Sequence, residues 1–155
     1  MSDVTTHLLF WALFLVLMLS ACGFALWKGG PAERLGAALI LGFALLWEFG
    51  RLLPPSFAGF MPIAQLIGDG LTAVGLLAIA VRYASLWLGG ALMFQAAQFS
   101  LHSFYLVTDR EVDSLHRLVN NINLYAILIC LTAGAIVSWR ARVKDASKAA
   151  SAAAA

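Results

Sequence analysis

The chain is poor in charge. Only 12% of its 155 residues are Asp, Glu, Lys or Arg, against roughly 25% in an ordinary soluble domain. With 62% apolar residues and a mean hydropathy of +0.88, a chain of this size cannot cover its apolar surface in water, so lipid must solvate much of it. Cysteine is scarce as well. Cys22 and Cys130 lie inside apolar runs, without the spacing of a zinc site or a redox pair, and read as small buried residues. No GxSxG, HExxH, CxxC or phosphate-loop pattern occurs, which leaves enzymes of the familiar soluble classes unsupported.

What the sequence does have is long apolar runs. A spanning helix needs about 20 mostly apolar residues, and five stretches qualify: Leu8–Trp27, Leu35–Leu53 (ended by Pro54-Pro55), Phe60–Val81, Leu86–Val107 and Ile122–Trp139. Short connections leave no soluble domain. The expected fold is all-α: a polytopic five-transmembrane-helix bundle, residues 1–139 forming one domain. The positive-inside rule sets its orientation. With the C-terminus cytoplasmic, the inner segments hold Lys28, Arg34, Arg82, Arg140, Arg142, Lys144 and Lys148, leaving Arg51, Arg110 and Arg117 outside. Trp27, Trp87 and Trp139 then fall at the inner boundary, where an aromatic belt belongs. Both signals place the N-terminus outside.

A rival reading concerns LSAC, residues 19–22, which matches a bacterial lipoprotein cleavage site and would make Cys22 a lipidated residue. The preceding MSDVTTH carries Asp3 and no Lys or Arg, unlike the usual signal n-region. The segment TDREVDSLHRLVNN before the fifth span opens with Thr108-x-x-Glu111, a capping-box pattern. Val112, Leu115, Leu118 and Ile122 follow at helical steps. An amphipathic helix over about 109–121 is expected there, lying on the outer surface or running straight into the fifth span. The basic, then Ala/Ser-rich tail, 140–155, has no apolar face and is expected to be disordered.

Polar residues break the apolar runs on one side. Gln95, Gln98, His102 and Tyr105 share an arc of about 80° on the fourth helix. At a similar depth, Glu48 and Arg51 stand three apart near the end of the second span and are expected to pair. Gln65, Asp69 and Thr72 share a face of the third. His7, His116 and Asn120, Asn121 and Asn123 lie at the same level, whereas the inner half has almost nothing comparable. The expectation is a polar cluster of Glu48, Arg51, Asp69, Gln95, Gln98 and His102 in the outer half. A charge in hydrocarbon costs several kcal/mol, so Glu48 and Asp69 must face the bundle, pair, protonate or touch water.

Three function classes fit. Small-residue faces such as Gly68–Thr72–Gly75, an outer amphipathic helix and the lack of a complete active site favour a non-catalytic accessory or assembly subunit of a larger membrane complex, with other membrane proteins and lipid as partners and no nucleic acid. His7, His102 and His116, all on the outer side, permit a transition-metal or haem site near the periplasmic face, although no two share a ligand spacing on one helix. Asp69, Gln98 and His102 suit proton relay in a small proton-coupled transporter, although no internal repeat is visible.

The stretch IGDGLTAVGLLAIAVRYASLWLGGALMFQAAQFSLH resembles a group of small multi-pass inner-membrane proteins of alphaproteobacteria. The features in common are an acidic residue in the third span (Asp69), a basic turn (Arg82), then Trp87 and a fourth span bearing Gln95 and His102. The resemblance covers roughly half the chain. It implies a bacterial inner-membrane location and carries no activity with it. The Trp-Pro pattern of five-span tryptophan-rich sensory proteins is missing, as are the paired in-span histidines of four-helix haem cytochromes.

Overall fold

The computed structural model describes residues 2–50 and 59–153; for residues 2–8 and 10 it describes the backbone alone. The described chain folds into five helices: α1 (Ser2–Lys28), α2 (Pro31–Gly50), α3 (Met61–Tyr83), α4 (Leu86–Val107) and α5 (Ser114–Ala153). By length and composition α1, α3 and α5 are apolar enough to cross a membrane. Helix α2 has Glu33, Arg34 and Glu48 within its 20 residues, and α4 is diluted by its glutamines and histidine. Large apolar side chains cover the outside: Leu86, Val107, Val81 and Trp27 are all more than two-thirds exposed. A water-soluble monomer does not display so much apolar surface, which supports a membrane location.

Local chemistry sets the helix ends. Gly30 precedes Pro31, and the Glu33 carboxylate reaches back to the Gly30 N–H at 2.8 Å, half of a capping box. Pro62 sits in the first turn of α3, and α3 ends at Ala84, whose φ of 46° is left-handed. Helix α4 ends where the Thr108 hydroxyl and N–H both return to the Phe104 carbonyl, at 2.7 and 3.0 Å. Asp109 then takes a φ of 48°.

This corrects the expected start of the last helix. Thr108 closes α4 and opens nothing, so residues 109–113 are not helical. The cap is Asp113, whose Oδ1 accepts the His116 N–H at 2.8 Å. From Ser114 the helix runs without a break. The tail departs from expectation in the same way: α5 continues to Ala153, as an Ala-rich stretch with high intrinsic helix propensity permits. At 1.5 Å per residue, its 40 residues reach about 60 Å, about twice the hydrocarbon thickness of a bilayer.

The helices close a ring. Helix α1 packs on α2 and α5, α2 on α3, α3 on α4 and α4 on α5, with a lighter contact between α2 and α5. The two ends of the ring differ. Toward the α1–α2 and α3–α4 connections the interior is solid: Cys22, Ala25, Ala37, Leu76, Leu88, Leu131 and Ala135 are all buried there. Trp87 is wedged between two glycines. A Cβ on Gly36 would come within 2.6 Å of its ring, and one on Gly134 within 2.3 Å. The other end, where α4 meets α5, is hollow.

Candidate functional site

The hollow end is a cavity of about 1340 Å³ with lining residues on all five helices. Ligand pockets run to roughly 300–1,000 Å³, so this one is large. Most of its lining is apolar, including Trp11, Phe14, Met18 and Ile40. One side is not. The α4 stripe expected from the sequence turns inward as a unit: Gln95, Gln98, His102 and Tyr105 are all buried, in line below Trp87, Leu88 and Ala91 at helical spacing. Glu48, Gln65, Asp69, Gln95, Gln98 and Asn120 line the cavity.

Asp69 and His102 are the centre of this polar side. Asp69 Oδ2 contacts His102 Nδ1 across the α3–α4 seam. A carboxylate facing Nδ1 selects the tautomer with the proton on that nitrogen. His102 Nε2 is then an acceptor, and the Gln65 and Gln98 amide nitrogens stand 3.0 and 3.4 Å from it. Asn120 Oδ1, at 3.1 Å from the same nitrogen, accepts from the ring when it is an imidazolium. Gln98 Nε2 also donates to Asn120 Oδ1. Gln95 Nε2 donates to the Asp69 carbonyl at 3.2 Å and to its carboxylate at 3.3 Å. The partly buried Asp69 carboxylate thus has hydrogen-bonding partners, and so does the imidazole.

The network continues to the connection between α4 and α5. The His102 and His116 rings lie 5.1 Å apart, centroid to centroid. Tyr105 meets His116 edge to face at 4.6 Å and donates its hydroxyl to Asp113 Oδ1 at 2.7 Å. That same oxygen caps α5. Hydrogen bonds from the His116 N–H and the Tyr105 hydroxyl hold the Asp113 carboxyl below its usual value of 3.8, with Arg110 adding to the effect.

Of the residues singled out in the sequence, Asp69, Gln95, Gln98 and His102 come together, with Gln65 and Asn120 joining them. Glu48 lines the cavity. Arg51 and the His7 side chain lie outside the described residues, so the expected Glu48–Arg51 pair lies outside them too. His102 and His116 are neighbours, but no group of three His, Cys, Asp or Glu side chains able to hold a metal forms among the described residues.

One polar residue escaped the sequence reading. The inner half was expected to hold almost nothing comparable to the outer cluster, yet Glu33 at the solid end is 3% exposed. Its Oε1 accepts the Trp87 indole N–H at 2.9 Å, and its Oε2 accepts the Gly30 N–H. Trp87, expected in an interfacial belt, is therefore an interior residue. The signal was a Glu three places after Gly30, in a helix start. Nothing in the sequence paired it with a tryptophan 54 residues away. No family model, curated protein or solved structure matches the chain.

Proposed function

We propose that this is a multi-pass membrane protein that binds a small amphiphile in the hollow end of its bundle. The observation that carries the reading is the cavity: a large space with an apolar lining and one hydrogen-bonding side built on Asp69 and His102. Such pockets bury an apolar body and use a few placed polar groups to orient the head. In this reading all five helices span the membrane. The N-terminus and the His102 end face outward, and the tail lies in the cytoplasm, an orientation that the distribution of basic residues supports. The resemblance to alphaproteobacterial proteins supports a bacterial inner membrane. The solid packing about Trp87 supports binding from one side over conduction through the bundle.

The test is native mass spectrometry of the protein released from its own membrane. An amphiphile should leave with the wild-type chain and be depleted from Ala64→Trp, which places an indole in the cavity from α3. Identical spectra for the two proteins, with both folded, overturn the reading.

A second reading, an accessory subunit of a larger membrane complex, is favoured by the length of α5. Its exposed last turns, from Arg140 onward, extend past the ring and offer a basic helix to a partner.

A further inference from the structure

The polar side of the cavity has a direction. Gln95 turns Nε2 toward two acceptors, the carbonyl and the carboxylate of Asp69. That fixes the orientation of its amide, because a carbonyl oxygen there would face two oxygens. The Nε2 donor is used and Oε1 remains. Gln98 repeats the arrangement. Its Nε2 faces Asn120 and His102, while its Oε1 is buried without a partner among the described residues. A buried acceptor left unmade costs free energy, and Gln98 is only 8% exposed. Gln65 also gives Nε2 to His102. Three glutamines therefore use their donors within the network and leave carbonyl oxygens, with the Asp69 carboxylate among them.

The aromatic part of the lining agrees in sign. Trp11, Phe14, Phe43, Trp47 and Tyr125 line the same cavity, and aromatic faces attract cations, more strongly when desolvated. Arg117 is the guanidinium among the described lining residues, and it is exposed, with its Nε directed to the Asp113 carbonyl at 3.4 Å. Among the described residues the interior is thus rich in acceptors and π faces, with its fixed positive charge at the solvent-accessible rim.

We infer that the cavity selects a lipophilic ammonium: a protonated amine on a compact apolar body, its N–H groups directed at the Gln95 oxygen and the Asp69 carboxylate. This rests on the amphiphile-binding reading and narrows it. The aromatic residues hold the body, and the glutamine–aspartate side discriminates by charge and by donor count.

The test uses three probes of one shape: 1-adamantylamine, 1-adamantanol and adamantane-1-carboxylate. They are titrated at neutral pH into the full-length protein in nanodiscs of uncharged lipid, with empty nanodiscs as the blank. The amine should bind at least tenfold more tightly than the alcohol, and the acid most weakly. Asp69→Asn should remove most of the amine's advantage and leave alcohol binding as it was. Gln95→Met keeps the carboxylate and should lose about threefold for the amine alone, so it carries the test should Asp69→Asn fail to fold. Equal binding of amine and alcohol, or tighter binding of the acid, overturns the inference while sparing the amphiphile reading. Binding of none of the three above the blank overturns both.

Discussion

Asp69 on α3 and His102 on α4 meet carboxylate to imidazole, and the pair joins the two helices at the level where the bundle is hollow. Their relationship is also electrostatic. Removing the ring leaves a carboxylate in a site only partly open to solvent, which is a large penalty in a buried pair. His102→Ala should destabilise the protein by about 3 kcal/mol, and His102→Gln, which can still donate to Asp69, by less. A double-mutant cycle with Asp69→Asn, read by reversible denaturation in detergent, should give a coupling of at least about 1 kcal/mol. Additive single and double variants would show that the contact contributes nothing.

The Trp87 wedge makes a non-additive prediction. Gly36→Ala or Gly134→Ala places a methyl group against the indole, and overpacking of this kind costs about 1–3 kcal/mol. In a Trp87→Leu background the glycine changes should cost little, because the ring they strike is gone. Glu33→Ala adds a different defect: it strips the indole N–H and the Gly30 N–H of their acceptor, at about 1–3 kcal/mol for a buried donor. Glu33→Gln, which retains one acceptor oxygen, should fall between. Thermal melts of the wild type and these seven variants check the order.

The start of α5 should respond to acid. The Asp113 carboxyl is held below 3.8 by its bonds from the His116 N–H and the Tyr105 hydroxyl. A carboxylate depressed in the folded state stabilises it above the unfolded value, and that contribution disappears as pH falls through the folded value. Amide exchange over residues 114–117, once corrected for the intrinsic effect of pH, should therefore speed up below about pH 4. In Asp113→Asn the same amides should exchange at a rate that no longer changes across that range beyond the intrinsic effect of pH.

Topology has its own test. A reporter fused after Ala153 should be active only in its cytoplasmic form, and a tag before Ser2 should be reached from outside the cell. A tail reporter active outside would invert the assignment of the His102 end to the outer face.

The sequence made the apolar helices and the polar stripe legible for one reason: both are periodic. Gln95, Gln98, His102 and Tyr105 repeat at helical steps, so their common face could be read without knowing what it met. Asp69 shared their depth and was legible as a partner on that ground. The start of α5 was misread because Thr108-x-x-Glu111 and Asp113-x-x-His116 compete as helix openings, and only the tertiary contact from Tyr105 to Asp113 distinguishes them. Glu33 and Trp87 were opaque for a related reason. Each has an ordinary role alone, a helix-start acid and an interfacial aromatic, and their bond joins helices that are far apart in sequence. The cavity itself leaves no periodic mark, since an aromatic residue that lines a space and one that fills it look alike in a chain.

The most direct measurement is an experimental structure of the protein in lipid nanodiscs, isolated without harsh delipidation. A continuous non-protein density is expected inside the ring, its polar end within hydrogen-bonding distance of Gln95 and Asp69 and its body against Trp47 and Phe14. A ring whose helices have closed over that space, with Phe14 and Tyr125 meeting the Asp69–His102 pair directly, would contradict it.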